Sequence, residues 1–296
     1  MATLKEVQSK ITSVKKTRQI TKAMNMVATS RLRGAQTAME AFRPYAEKFS
    51  EVLGNIADKA GDGASPLLTP REEINNVNIV LMTSDRGLCG GYNFNLIEAA
   101  QKLMNEKVSQ GIAVSFTNFG KKGRDWCRNN QLKITKEYLN IVGGKFGFNI
   151  ASTSGQELID GFLDGSFDEV YVILANFKGM AAQPPLVKQL LPIPIIVTAE
   201  TEKNDDMSYI AEHIIEPSPY ELLNEMLPKN IFIQIYNGLL ETSTSEHAAR
   251  MKAMDNATKA CNDMIENLTL AYNKARQAAI TMELMDIIGG AEALKG

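Results

Sequence analysis

Apolar residues recur at spacings of three and four at both ends of this chain, while the middle switches to short β-rich runs. In the first segment, residues 3 to about 59, Leu4, Val7, Ile11 and Val14 form one stripe and Phe42, Tyr45, Phe49, Val52 and Ile56 another. Ile20, Met24, Val27, Ala28, Ala35 and Ala38 make a thinner seam between them. Thr3 and Glu6 form a T-x-x-E capping box, which satisfies orphan backbone donors at a helix start from both sides. Pro44 predicts a bend or local disturbance, and G-D-G-A-S-P, Gly61 to Pro66, ends the helix. Such a helix reaches roughly 80 Å at 1.5 Å per residue, longer than globular helices ordinarily run.

The last segment, about 220 to 288, is longer still. Met251, Met254, Thr258, Cys261, Ile265, Leu268, Tyr272, Ala275, Ala279 and Met282 alternate spacings of three and four over ten positions. A sustained 3.5-residue repeat calls for a left-handed supercoil with a partner helix. A helix packed on a globular core would instead let its stripe drift toward 3.6 and widen. The first segment is the other helix of comparable length, so antiparallel pairing of the two ends is the simplest topology.

Between them lie N-V-N-I-V-L-M (76–82), A-V-S-F-T-N-F (113–119) and V-Y-V-I-L-A (170–175), each reading as a strand. The last is apolar throughout, as a strand covered on both faces must be. Helical patterns alternate with them: Leu96, Ala100, Leu103 and Met104 share a face, and Ser154 with Glu157 reads as a capping box before Leu158, Ile159, Phe162 and Leu163. This alternation predicts a Rossmann-like α/β domain with a mostly parallel sheet. Pro192 and Pro194 demote L-L-P-I-P-I-I-V to an edge strand or loop. The expected organisation is an N-terminal coiled-coil helix (1–60), a central α/β domain (75–200) and a C-terminal coiled-coil helix (208–296) antiparallel to the first.

Charge refines the picture. The 296 residues carry a formal net charge of -2, which gives no global attraction to nucleic acid or anionic lipid. Residues 1–35 nevertheless hold eight Lys/Arg against Glu6, and residues 200–226 hold eight acids against Lys203. Contact surfaces on a larger assembly and plain solvated helix faces both fit that asymmetry. Cys89, Cys127 and Cys261 are odd in number and lack C-x-x-C spacing, which argues against a disulfide framework or zinc site and favours a reducing compartment. No apolar run approaches the roughly 20 residues needed to span a bilayer, and M-A-T-L-K-E lacks a signal peptide's apolar core.

The glycine-rich stretch S-D-R-G-L-C-G-G-Y-N (84–93) follows a strand and precedes a helix, where phosphate loops sit. Its spacing fits neither G-x-G-x-x-G nor G-x-x-x-x-G-K-[ST]. A structural turn or protein-contact loop is the better reading, with Asp85 and Arg86 pairing with each other or Arg86 facing an acidic partner. Cys89 has no evident histidine base, and His213 and His247 lie elsewhere in sequence. No catalytic, cofactor-binding or metal-binding residues are assigned.

Four motifs together resemble the gamma subunit of F-type ATP synthases. I-T-S-V-K-K-T-R-Q-I-T-K-A-M-N-M-V-A (11–28) resembles that family's opening helix, and the loop 84–93 its internal motif. S-E-H-A-A-R-M-K-A-M (245–254) and Y-N-K-A-R-Q-A-A-I-T-M-E-L-M-D-I-I-G-G-A (272–291) resemble its C-terminal signature. Lys259 and Cys261 stand where relatives often carry polar or small residues. The resemblance implies a non-catalytic rotor shaft inside a ring of alpha and beta subunits, with a foot on the membrane c ring beside the epsilon subunit. It implies no cofactor, no nucleotide binding of its own and no nucleic-acid partner. It places Met24, Arg86, Cys89, Arg250, Gln277, Thr281 and Glu283 at beta-subunit contacts and, more weakly, Ile215 and Glu216 near the c ring. The apolar end, Leu284 to Leu294, suits a bearing. Region 190–230 lacks the cysteine pair of plant-type relatives, so no thiol switch is expected. With no transit peptide, the cytoplasmic face of a bacterial plasma membrane is the expected location. An α/β nucleotide-binding enzyme and a cytoplasmic coiled-coil adaptor are the competing classes.

Overall fold

A computed structural model describes residues 4–60, 65–144, 146–194 and 218–293. In chain order the elements are α1 (Leu4–Ala60), β1 (Asn76–Met82), α2 (Tyr92–Ser109), β2 (Ala113–Phe119), α3 (Lys121–Asn129), β3 (Ile134–Tyr138), α4 (Phe148–Leu163), β4 (Glu169–Ala175), β5 (Pro185–Leu191) and α5 (Pro219–Ala293). They form two compact units, one of residues 1–29 with 250–296 and one of residues 30–249. Thr3 of the first capping box lies outside the described residues.

The first unit is a helix pair. Arg18 Nη1 donates to Asn262 Oδ1 at 3.1 Å, the hydroxyls of Thr21 and Thr258 meet at 2.8 Å, and Asn25 Nδ2 donates to the Met251 carbonyl at 2.9 Å. Partner numbers fall on α5 as they rise on α1, so the helices run antiparallel. On α5, Met251 through Ala279 of the 3.5-residue repeat are all at least partly covered, and Met254 is 5% exposed. Met282, the repeat's last member, is 67% exposed. The α1 seam differs from the one expected. Ile20 and Val27 face solvent and Thr21 is buried instead, while Ala28 is buried as expected. Each residue turns a helix by about 100°, so shifting the seam one position carries Ile20 and Val27 off the contact face.

The second unit centres on a five-stranded sheet ordered β3-β2-β1-β4-β5. β1, β2, β3 and β4 run parallel, and β5 closes one edge antiparallel to β4. Side chains alternate across the strands, as the two-residue pleat requires. Val80, Met82, Val170, Val172 and Leu174 enter one core with α4, Leu53 and Ile56 of α1, and Leu223 to Leu239 of α5. Val77, Ile79, Leu81, Ile173 and Ala175 enter the other with Tyr92, Leu96 and Ala100 of α2 and Cys127 of α3. Both faces of β1 and β4 are covered, which is why their sequences carry so few polar residues. Asn78 is an exception. Its Nδ2 donates to Ser115 Oγ at 3.0 Å and its Oδ1 accepts from Thr117 Oγ1 at 3.0 Å, so the buried amide is compensated.

Two strands carried weak signals. β3 (I-T-K-E-Y) is a sheet-edge strand with three polar residues in a row between Ile134 and Tyr138. β5 begins at Pro185 and ends at Leu191, just before Pro192; the run past residue 194 lies outside the described residues. α4 corrects the second capping box, because the helix starts at Phe148 after Gly147. Ser154 is buried mid-helix, donating to the Ile150 carbonyl at 2.7 Å, and Glu157 accepts from Tyr138 Oη at 2.6 Å. S-x-x-E spacing puts both residues on one helical face anywhere in a helix, so the motif alone does not mark a start. Pro44 lies within an uninterrupted α1. Tyr45, expected in the apolar stripe, is 54% exposed and leans on Phe42 and Phe49.

Candidate functional site

A parallel sheet of this order offers a crevice at the carboxyl ends of its strands, at the switch between β1 and β4. In this chain α5 fills it. Tyr92 Oη donates to the Thr242 carbonyl at 3.1 Å, and Ser245 Oγ donates to the Ala175 carbonyl at 3.3 Å. Thr242 to His247 are all buried. A polar T-S-T-S-E-H run buried inside a helix is the signal that sequence reasoning passed over. Its small hydroxyl residues let the helix backbone approach the strand ends closely, and each hydroxyl can bond locally.

The loop after β1 is built as a turn. Leu88 and Gly90 take left-handed backbone angles, φ 63° and 61°, which lets the chain reverse within a few residues. Ser84 N–H donates to Asn93 Oδ1 at 3.0 Å, and Asn93 Nδ2 lies 3.1 Å from Cys89 Sγ. Asp85 Oδ1 accepts the backbone N–H groups of Lys121 at 3.1 Å and Asn140 at 2.9 Å. Those at the start of α3 are consumed as well: Lys122 N–H goes to the Ser84 carbonyl and Gly123 N–H to Thr83 Oγ1. The N–H groups at the start of α3 therefore serve this loop rather than an anion. Gly120 (φ 94°) passes so close to β1 that an added Cβ would lie 2.2 Å from the Thr83 carbonyl oxygen.

The residues singled out from sequence fall in different settings. Met24 and Arg250 are half-buried in the helix pair, at the level where Asn25 reaches Met251. Gln277, Thr281 and Glu283 are exposed on α5, with Thr281 Oγ1 donating to the Gln277 carbonyl at 2.9 Å. From Ile280 to Ile288 the large apolar side chains of α5 are 52–69% exposed. In the sheet unit Arg86 is exposed, whereas Cys89 is 2% exposed and turned into the loop. Ile215 and Glu216 lie outside the described residues.

Titration behaviour points to structure. Burial pushes the Cys127 thiol up to about 11, against a hydrogen bond from Asn118 that lowers it, so the thiolate is scarce at neutral pH. Lys107 is buried against Glu169 at 2.6 Å; burial works to lower its pKa, but Glu169 and Tyr171 outweigh this and leave it raised. No group of three or more His, Cys, Asp or Glu suited to a metal ion occurs among the described residues. No described helix is long and apolar enough to cross a membrane.

Comparison with known proteins adds four findings. A family model described as ATP synthase matches residues 3–294. The chain is 66% identical to the ATP synthase gamma chain of Desulfosudis oleivorans over 298 residues, covering 100% of both chains. It is 63% identical to that of Desulforapulum autotrophicum over 298 residues, covering 99% of this chain and all of the relative. Among solved structures it superposes on a chain of the Euglena gracilis mitochondrial ATP synthase, OSCP/F1/c-ring, in rotational state 3, with TM-score 0.68. That match has 19% identity and covers 98% of this chain and 94% of the other. At that identity the likeness speaks for the fold alone.

Proposed function

Because the chain belongs to the ATP synthase gamma-chain family over essentially its whole length, we propose that it is a central-stalk rotor subunit. It has no catalytic site of its own. Its partners are the alpha and beta subunits of the catalytic ring, the epsilon subunit and the c ring of the membrane sector, and it works peripherally at the cytoplasmic face of a bacterial plasma membrane. Proton flow turns the c ring and this chain with it; hydrolysis at the beta sites drives the reverse rotation.

One observation carries the reading: the antiparallel helix pair knit at Arg18–Asn262, Thr21–Thr258 and Asn25–Met251. Such a pair is stiff, and its Ala, Thr and Met seam lets the backbones approach closely. A rigid element with different contacts on different sides biases each beta subunit toward a different state as it turns, and coupling of distant sites requires that differential contact. The basic positions of residues 5–33 meet acidic tips of the beta subunits through screened, slidable electrostatics. Met24, Arg250, Gln277, Thr281 and Glu283 are the shaft residues at those contacts, and Arg86 extends them to the loop after β1. Cys89 is buried, so its part is to shape the loop that presents Arg86. Ile215 and Glu216 are assigned to the c-ring side, and exposed Leu284 to Ile288 to the bearing end.

Reconstitution tests it. Purified chain mixed with alpha and beta subunits forms a complex whose ATP hydrolysis rotates a probe fixed to the sheet unit. A chain that is recovered without those subunits, or whose complex hydrolyses ATP with the probe stationary, overturns the assignment.

A further inference from the structure

Resting on the rotor reading, we propose that Asp85 is a positioning residue that holds the turn through which torque passes between the sheet and α1. Its Oδ1 gathers the amides of Lys121 and Asn140, the chain just beyond β2 and β3, while Asp85 itself lies just beyond β1. One carboxylate oxygen thus ties the ends of three adjacent parallel strands. Gly120 N–H, donating to the Tyr138 carbonyl at 2.9 Å, knits the same corner.

From Asn140 the chain enters a turn closed by Gly144 N–H on the Ile141 carbonyl at 3.0 Å. Val142 anchors that turn in the core at 3% exposure. Arg31 of α1 grips it from outside, Nη1 donating to the Gly143 carbonyl at 3.1 Å. On α5, the Glu246 carboxylate lies so close that a Cβ on Gly143 would sit 2.4 Å from Oε2. The mechanical path runs from β1 through Asp85 and Asn140 to the Gly143 turn, and from there to both long helices. Turning the sheet against α1 reaches the Gly143–Arg31 bond through two parallel links, the covalent run from β3 and the Asp85–Asn140 bond.

The chemistry explains the residue type. Two backbone donors converge from different segments, and an acceptor bearing no hydrogen meets both without repulsion. Asp85 Oδ2 is buried with no hydrogen-bond partner, so the two amides dictate the orientation at the expense of the second oxygen. Asparagine can still present one carbonyl oxygen to both donors; alanine presents none.

The test uses the assembled complex with its catalytic ring fixed, reading angular fluctuation of a probe on the sheet unit. Asp85→Ala should raise angular variance roughly twofold, as expected when one of two comparable links in a coupling path is lost. Asp85→Asn should restore the wild-type value, a rescue that general loss of packing does not produce. Wild-type variance in Asp85→Ala, or equal softness in Asp85→Asn, overturns the proposal. If Asp85→Ala fails to assemble, Gly143→Ala carries the test, since the added methyl drives the turn off Glu246; unchanged variance there overturns it equally. A wild-type chain that supports no rotation sinks the rotor reading itself. A rotating wild type with an equally stiff Asp85→Ala removes only the role of Asp85.

Discussion

The hydroxyls of Thr21 and Thr258 meet at 2.8 Å across the antiparallel helix pair: one donates across, and the other keeps its hydrogen for its own helix, Thr21 for the Arg18 carbonyl or Thr258 for the Met254 carbonyl. The pair sits where a coiled coil ordinarily places a large aliphatic residue. Its small, satisfied hydroxyls set register and spacing together, as single polar positions do in coiled coils. Thr21→Val should cost about 1 kcal/mol, the net worth of one such bond. Thr21→Val with Thr258→Val should cost less than the sum of the single changes, because the second removes a partner already lost. Urea unfolding followed by helical circular dichroism reads both; strict additivity would mean the hydroxyls do not interact.

Two glycines should respond in opposite directions to alanine. Gly34, inside α1, has no atom within 4 Å of an added Cβ and borders a cavity of about 610 Å³. Gly34→Ala should therefore stabilise by about 0.5–1 kcal/mol through helix propensity and reduced chain entropy. Gly120 combines φ 94° with a Cβ position 2.2 Å from the Thr83 carbonyl oxygen. Gly120→Ala should destabilise by about 3 kcal/mol or more, since backbone must shift to admit it. Thermal melts of the two variants against the parent check the signs.

Acid should loosen the sheet unit at Asp168. The carboxylate accepts N–H groups of Asn75 and Asn76, each at 2.8 Å, and pairs with Arg71 at 2.9 Å; Arg71 also donates to the Phe162 carbonyl. Burial works to raise this pKa, but the two amides and the guanidinium together hold it below the usual carboxylate value. A depressed folded pKa gives stability that is fully present above the unfolded value of about 3.9 and is lost as pH falls through the folded one. Asp168→Asn should cost about 2 kcal/mol at neutral pH, and the gap to the parent should close as pH drops below about 4. A gap that stays constant through acid would exclude the charge as its source.

At the shaft, Met24→Lys adds a cation to a half-buried position beside the proposed beta contact. Tighter, less slidable binding should lower protons pumped per ATP hydrolysed in membrane vesicles while hydrolysis continues. An unchanged ratio removes Met24 from the contact. Replacing Arg250 and Gln277 together by alanine should slow turnover with helix content intact; full turnover removes both.

The architecture was readable where periodicity was strong. The 3.5-residue repeat from Met251 to Ala279 and three of the five strands lie where the pattern puts them, since burial of a whole face leaves a regular trace in sequence. Legibility failed where the signal was one residue wide. Ile20 and Val27 looked like seam because they are apolar, but the face is held by Thr21, which was passed over, beside the expected Ala28, the closer approach favouring small side chains over larger ones. Ser154 and Glu157 had the spacing of a helix start yet sit mid-helix. β3 and β5 are edge strands, buried on too few sides to carry a clear pattern.

Sequence alone determined two long helices, a largely parallel sheet between them and, through four motifs, the family, because these depend on local periodicity and on residues near one another in the chain. Tertiary structure decided what occupies the carboxyl edge of the sheet. It brought Thr242 to His247 into the crevice, turned Cys89 inward and set Asp85 on the amides of Lys121 and Asn140. The Asp85 and Thr242 contacts join residues 36 to 150 positions apart, and packing of distant surfaces leaves no periodic trace along a single chain.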